Sequence, residues 1–342
     1  MEYTNLLSKE QPGEVLIQFY EQFVRDLESR INYVVYARMV IATSRKIAKK
    51  QQANEFMVKI KDRLAIVKES QLVLSIEIMA NKLQESITLE ISDQLNQIKD
   101  DVEKCSGADN MMYSDLYRVY ALYYFYRKQH EEFYQYALQY LAYTPAASIP
   151  DAEKVEWSVR MGMAAILGKK IYNIGELVEK EIFKSLTATQ YVWLYDLMQA
   201  FNSASVQNLS KAMVTYKENI DTESEIKNNA ENMNVKIRIL ALLDLIFTRQ
   251  KEERNLSFEM ISKTSEVKLE DVEWLLMKAM SLGLIKGEID QVEKFVKVSW
   301  MKPRVLDMQR VQIMKDTIGK WKGKVQENLK NLREKTRELT KP

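Results

Sequence analysis

The chain has 342 residues, 46% of them hydrophobic, which is enough for a sizeable core and excludes a wholly disordered protein. Only 9 glycines and 5 prolines are present, so we expect a mostly α-helical fold, and the length suggests about two domains. Its 50 lysines and arginines nearly balance 48 acidic residues, which excludes a global attraction to nucleic acid or to an anionic membrane.

The first 110 residues contain a series of amphipathic segments, each of about 15 to 20 residues. The first segment, residues 15–31, keeps one apolar face through Phe19 and Phe23, and similar faces recur as far as Val102. Segments of this kind cannot bury their faces alone, so neighbours must stack on one another. Because no strict repeat consensus is present, residues 1–110 are predicted to form an irregular helical-repeat solenoid.

Residues 111–234 are predicted to continue the helical region into the next module. They begin with two aromatic-rich helices, roughly Tyr113–Lys128 and Glu131–Tyr143, in which Ala121 and Ala137 resemble the close-approach positions of tetratricopeptide-type helix pairs. A row of tyrosines can stack nucleic-acid bases. No lysines or arginines alternate with these rings, however, so we interpret them as amphipathic core residues.

Residues 235–303 are predicted to form a separate module that starts with three helices. These are the apolar segment Val235–Phe247, the segment Phe258–Lys263 with Ser257 as its N-cap, and residues 269–282. The third helix keeps an apolar face through Val272, Leu275, Leu276, Ala279 and Met280.

A β-hairpin is predicted after the third helix. Gly283 ends that helix, because glycine adopts a positive φ without a steric penalty. Two β-prone runs follow, around Leu284–Ile289 and Phe295–Trp300, joined by the polar turn Asp290–Lys294. Three helices followed by a hairpin are the order of a winged-helix module.

The third helix of a winged helix often reads DNA through basic side chains. Here that helix carries Glu270, Asp271 and Glu273 against the single basic residue Lys278. An acidic face repels phosphate. We therefore expect this module to bind protein rather than nucleic acid.

Residues 304–342 are predicted to form one long amphipathic helix. Its apolar side chains recur mostly at spacings of three and four, a narrow stripe that is typical of a coiled-coil-like partner helix. The stripe consists of Met314, Ile318, Trp321, Val325, Leu329, Leu332 and Leu339. We expect it to enter a bundle with other helices rather than a membrane.

Little catalytic chemistry is available in the sequence. The single histidine, His130, lies at a polar turn, and the single cysteine, Cys105, lies in a loop, so neither belongs to a recognisable nucleophilic or metal-binding constellation. We expect no enzymatic activity, no metal and no cofactor. The lone cysteine indicates a reducing compartment, and no signal peptide or membrane-spanning segment is expected.

The segment 269–307 closely resembles the C-terminal half of a PCI domain, and specifically that of the family of 26S proteasome non-ATPase regulatory subunit 13, which is a lid subunit. Four further stretches are similar to that family: LIQFYEQFVRDLESRIN from Leu16, FYQYALQYL from Phe133, GMAAILGKKIYNIGELV from Gly162 and WLYDLMQAFNSAS from Trp193.

The resemblance implies a non-catalytic scaffold in the lid of the proteasome regulatory particle, in the cytoplasm and nucleus. It implies as partners the other PCI lid subunits, the deubiquitinase-containing lid pair and the ubiquitin-receptor subunit. The hairpin would then be a lateral docking edge, and the stripe of the C-terminal helix would enter the assembly bundle. The edge residues are Leu284, Ile285, Ile289, Val296, Val298 and Trp300.

Two alternatives remain open. One is a PCI subunit of the signalosome or of the multi-subunit translation initiation factor, with the same fold in another complex. The other is a PCI-type nucleic-acid adaptor, which predicts a basic wing. Lys294 and Lys297 are offset there by Glu288, Asp290 and Glu293, which disfavours the adaptor.

Overall fold

The computed structural model describes residues 32–45, 47, 50–64, 67–85, 89–105, 107, 109–249, 254–302 and 308–336. The predicted fold class is confirmed: these residues are mostly α-helical, with one small sheet. Contacts divide the chain at Gly168 into two compact units. The segment 15–31 lies outside the described residues, and the predicted boundaries at 110, 234 and 303 stay predictions.

The described part of the first unit consists of helices that pack on their neighbours along the chain. They are α1 (Tyr33–Ser44), α2 (Lys50–Arg63), α3 (Lys68–Glu85), α4 (Leu89–Glu103), α5 (Asn110–Tyr126), α6 (His130–Tyr143) and α7 (Asp151–Leu167). Helix α3 is central, because it contacts α1, α2, α4 and α5. Its side chains Val73, Leu74 and Ile76 are at most 1% exposed. Burial of each such side chain contributes about 1.5–3 kcal/mol, so α3 holds this core together.

Helices α5 and α6 form the predicted aromatic pair. Ala121 and Ala137 are both 0% exposed, which lets the two helices approach closely. The tyrosines stack on one another along the pair; the ring centroids of Tyr124 and Tyr136, for example, are 5.2 Å apart with their planes 6° from parallel. The tyrosine rings thus have protein partners, as the core interpretation requires.

A buried carboxylate joins α3 to α1 and α5. The side chain of Glu77 is only 5% exposed, and it accepts hydrogen bonds from Arg45 Nε at 2.7 Å and from Arg118 Nη2 at 2.6 Å. Burial alone raises the pKa of Glu77, but the hydrogen bond from Arg45 and the charge of Arg118 outweigh it, and the net pKa is lowered. In the same cluster, burial raises the pKa of Asp115, because Arg118 and Arg45 offset only part of its effect.

The second unit begins with short helices and continues into the winged helix. Its elements are α8 (Gly175–Glu179), α9 (Glu181–Lys184), α10 (Val192–Asn202), α11 (Val206–Thr215), α12 (Lys217–Thr222), α13 (Ser224–Asn228), α14 (Ala230–Phe247), β1 (Asn255–Ser257), α15 (Phe258–Ser265), α16 (Val272–Ser281), β2 (Ile285–Asp290), β3 (Phe295–Met301) and α17 (Met308–Thr336). Helix α14 is the apolar centre of the module, and its Ile239, Leu240 and Leu242 are 0% exposed.

The winged helix contains the predicted hairpin and one additional strand. The sheet has the order β1-β3-β2, and both pairings are antiparallel. Ser257 caps α15 as predicted, accepting a hydrogen bond from Met260 N, and Gly283 has the positive φ of 67° that ends the third helix. The register of the hairpin shifts at Gly287, where a Cβ would lie 2.3 Å from the carbonyl oxygen of Lys297. Glycine is therefore required there for the strands to pair.

Candidate functional site

The six predicted edge residues of the hairpin do not share one environment. Leu284, Ile285, Val296 and Val298 are at most 3% exposed. Their side chains belong to the core of the module, where β2 packs on α16 and β3 on α14, so the prediction that they contact a partner directly is corrected. For Val296 and Val298 the physical reason is the two-residue alternation of a strand, which directs both side chains to the covered face of the sheet. Ile285 begins β2, and Leu284 precedes it just after the third helix, where its backbone N–H donates to the carbonyl oxygen of Ala279.

The remaining two predicted residues lie closer to the surface. Ile289 is half-buried, and Trp300 is 42% exposed with Lys286 Nζ 5.3 Å from the centroid of its ring. In the described sheet, β2 pairs only with β3, so its other backbone edge is available for hydrogen bonding. The lateral docking edge therefore stays a prediction, now assigned to the β2 backbone and Trp300.

The third helix, α16, has two apolar faces. The first is the predicted core face, where Val272, Leu275 and Leu276 are at most 1% exposed. On the other side, Trp274 is 53% exposed and Met277 is 57% exposed. Sequence reasoning missed this second face, although large apolar residues outside the core stripe of an amphipathic helix are its signal.

Acidic groups surround the exposed face of α16. Glu270 and Asp271 are exposed at its start, and Glu273 Oε2 accepts a hydrogen bond from Gln291 Nε2 at 2.9 Å. Carboxylates beside an exposed tryptophan and methionine repel a phosphate backbone and favour contact with apolar groups of a protein.

Helix α17 carries the predicted C-terminal stripe on its surface. It has 29 residues, so it is about 44 Å long at 1.5 Å per residue. The six stripe side chains among the described residues are between 46% and 68% exposed: Met314, Ile318, Trp321, Val325, Leu329 and Leu332. Leu339 lies outside the described residues. A continuous apolar stripe that its own chain leaves in water is typical of a helix that associates with other helices.

The two residues considered for catalytic chemistry, His130 and Cys105, lie on different elements of the first unit. His130 is the first residue of α6 and is half-exposed, and Cys105 is a half-exposed free thiol just after α4. Within the described ranges, no group of three or more histidine, cysteine or acidic side chains is placed to hold a metal ion. None of the described helices has the length and apolar character needed to cross a membrane.

Two sequence families match consecutive parts of the chain. Residues 2–198 match the family described as PSD13 N-terminal repeats, and residues 207–300 match the PCI domain. Together the two matches include most of both units and all of the winged-helix sheet except Met301, the last residue of β3.

Individual relatives extend these matches over nearly the full length. The chain is 32% identical over 338 residues to 26S proteasome non-ATPase regulatory subunit 13 homolog B of Arabidopsis thaliana, covering 97% of this chain and 88% of the relative. It is 31% identical over 328 residues to 26S proteasome non-ATPase regulatory subunit 13 of Dictyostelium discoideum, covering 95% and 85%. A shorter similarity, 28% over 129 residues, covers 38% of this chain and 32% of eukaryotic translation initiation factor 3 subunit M of Nematostella vectensis.

Proposed function

The chain belongs to the family of 26S proteasome non-ATPase regulatory subunit 13, and we propose that it is a non-catalytic scaffold subunit in the lid of the proteasome regulatory particle. In this role it supports assembly of the lid and, through it, ubiquitin-dependent protein degradation. The observation that carries the proposal is the alignment with subunit 13 relatives over 97% of the chain, which includes both the helical repeats and the winged helix.

The exposed stripe of α17 supports an assembly role. Six apolar side chains of α17 are exposed to water. Burying them in a helical bundle would stabilise the assembly by about 25 cal/mol for each Å² of apolar surface removed from water. The spacing of three and four residues matches knobs-into-holes packing between helices. The proposed occupants of this surface are helices of neighbouring lid subunits.

The winged helix supplies a second proposed contact surface. The β2 backbone edge together with Trp300 would pair laterally with another PCI subunit, because an unpaired strand edge accepts a further strand or a flanking loop. Further proposed neighbours are the deubiquitinase-containing lid pair and the ubiquitin-receptor subunit, and the proposed location is the cytoplasm and nucleus.

A PCI subunit of the translation initiation factor is the second candidate. The observation in its favour is the similarity to subunit M, but that similarity covers only 38% of this chain. A nucleic-acid adaptor is disfavoured by the carboxylates on the exposed face of α16.

Charge placed in the α17 stripe tests the bundle. We expect Val325→Asp with Leu329→Asp to lower the fraction of the chain that is incorporated into the regulatory particle, measured on native gels of cells that express only the variant. The aspartates leave the fold unchanged, because both positions are exposed, but each would bury a carboxylate in the bundle.

The matched control is Gln326→Asp with Asn331→Asp, which adds the same two charges to α17 outside the stripe. Normal incorporation of the control together with loss of the stripe variant supports the bundle. Equal incorporation of both variants would show that the stripe is not a contact surface.

A further inference from the structure

A long groove runs along α3 in the first unit, bounded by α2 on one side and α4 on the other. Its volume is about 630 Å³, and its lining on α3 extends from Lys68 to Lys82. These fifteen helical residues span about 21 Å from the first to the last. The groove therefore has the length of about four turns of a second helix.

The floor of the groove contains apolar side chains of α3 and α4, and Gln71, Gln94 and Gln97 line the groove beside them. Met79 is 3% exposed, and Leu72 and Ile98 are partly buried hydrophobic residues that pack against the core of the unit. The hydroxyl of Ser75 donates a hydrogen bond to the carbonyl oxygen of Gln71 at 2.6 Å, so the floor's hydroxyl is already satisfied. The apolar part of this floor can accept apolar side chains, and the glutamines beside it can hydrogen-bond polar groups of the same ligand.

The rim of the groove is positively charged. It carries Lys61, Lys68, Lys82 and Lys104 against Asp62 and Asp101. None of these four lysines forms an ion pair within the part of the chain that the structure describes, whereas Lys99 of α4 pairs with Glu103. A net positive rim therefore surrounds the apolar side chains of the floor.

We propose that this groove binds an acidic amphipathic helix of a partner protein. Leucine-like side chains of that helix would contact the floor, and its carboxylates would face the four lysines. Nucleic acid fits less well, because the groove is lined by neither arginine nor aromatic rings and its two aspartates repel phosphate. The inference is independent of which complex contains the chain.

Binding of a designed helix to the full-length chain tests the proposal. The probe is a fluorescent synthetic helix of about 14 residues with leucines along one face and glutamates beside them. We expect fluorescence anisotropy to show binding that weakens as salt rises, because exposed charges are screened. Lys61→Glu with Lys82→Glu should weaken binding at least about tenfold, and Ser75→Trp, which fills the floor without changing the charge, should also weaken it.

The single cysteine of the chain reports where the probe binds, because Cys105 lines the end of the groove. A thiol-attached photocrosslinker at Cys105 should join the glutamate helix and not the same helix with lysines in place of the glutamates.

The matched control for a single charge reversal is Lys59→Glu, on α2 but outside the groove, which is compared with Lys61→Glu alone and should bind the probe as the unaltered chain does. The proposal is overturned if the glutamate helix does not bind or does not crosslink, or if Lys59→Glu weakens binding as much as the groove variants. It is equally overturned if single-stranded RNA displaces the bound helix at equal concentration.

Discussion

At the scale of single residues, the cluster around Glu77 shows that a buried carboxylate and a half-buried one beside it can have opposite energetic roles. Glu77 accepts hydrogen bonds from two guanidinium groups, which lower its pKa. The pKa of Asp115 is raised, because the effect of burial outweighs the charges of Arg118 and Arg45. The ionised form of Glu77 therefore favours folding, and the ionised form of Asp115 opposes it.

We expect Glu77→Gln to lower the free energy of unfolding at pH 7 by about 2–3 kcal/mol, because Arg45 and Arg118 lose their shared anion. The loss is smaller than the roughly 3–5 kcal/mol typical of a fully buried pair, since the side chain of Arg45 is 49% exposed. Urea denaturation followed by circular dichroism measures it, with Glu55→Gln on the exposed side of α2 as the control.

The free energy of unfolding of the unaltered chain differs from that of Glu77→Gln, and the pH dependence of this difference follows from the direction of the Glu77 pKa shift. Because the folded-state pKa of Glu77 is lowered, its stabilising contribution is present above the ordinary value of 4.5 and is lost as the pH falls through the folded-state value. The unaltered chain and Glu77→Gln should therefore converge in acid. A difference that stays constant from neutral pH into acid would contradict the assigned role of the ion pair.

Asp115→Asn should have the opposite effect, a higher midpoint of thermal unfolding at pH 7. A carboxyl group whose folded-state pKa is raised stabilises the protein below its unfolded value of 3.8, and that contribution is lost as the pH rises through the folded value. At pH 7 the ionised carboxylate of Asp115 is less stable in the folded chain than in the unfolded chain, and the uncharged amide of asparagine removes that cost. Asp93→Asn, on the exposed side of α4, is the control and should leave the midpoint unchanged. A lower midpoint for Asp115→Asn would indicate that Asp115 is stabilised by its arginine neighbours.

At the scale of elements, the two sides of α16 have different roles. One side is buried and stabilises the fold, and the other is exposed and is proposed to contact a partner. Leu275→Ala should destabilise the protein by about 2–5 kcal/mol, because the side chain is 1% exposed and its removal leaves a cavity. Trp274→Ala with Met277→Ala should change the free energy of unfolding by less than about 1 kcal/mol but reduce incorporation into the regulatory particle. Denaturation curves and native gels on the same variants measure the two effects.

Either of two results would refute the docking role of this face. If Trp274→Ala with Met277→Ala is as destabilising as Leu275→Ala, the two side chains are structural. If the double variant is stable and is incorporated normally, the exposed face of α16 contacts no partner in the particle.

The elements of the winged helix were predictable to the extent that their signals are local. Helix periodicity, the cap at Ser257 and the positive φ at Gly283 each depend on a few consecutive residues, and all three were confirmed. Strand β1 was not predicted, because three residues carry no periodicity and this strand exists through its pairing with β3, about forty residues later. Leu284 and Val296 were assigned to the docking edge although they are buried, because the sequence does not show which face of the hairpin α14 and α16 cover.

Ion pairs and grooves were beyond the reach of sequence reasoning for the same reason. Glu77 meets Arg45 and Arg118 across separations of 32 and 41 residues, and nothing in the helical pattern distinguishes it from an exposed glutamate. The lysine-rimmed groove likewise requires three helices to be placed side by side. The C-terminal stripe could be predicted from sequence, because its apolar side chains recur at spacings of three and four along one segment, and six of them lie on the described part of α17.

At the scale of the whole molecule, the chain is best explained as one component of a larger assembly. Its first unit and its winged helix have well-buried cores, yet α17, the outer face of α16 and the β2 edge keep apolar or unpaired groups in water. Deleting residues 305–342 should therefore leave a folded body and reduce incorporation. Unfolding of the truncated chain would instead assign α17 to the stability of the body.

The most direct test of the proposed function is affinity purification of the tagged chain from cells, with its partners quantified by mass spectrometry. The proposal predicts recovery of the other lid subunits and the ATPase ring of the proteasome regulatory particle in amounts close to equimolar with the tagged chain. Recovery of signalosome or translation initiation factor subunits without proteasome subunits would contradict it.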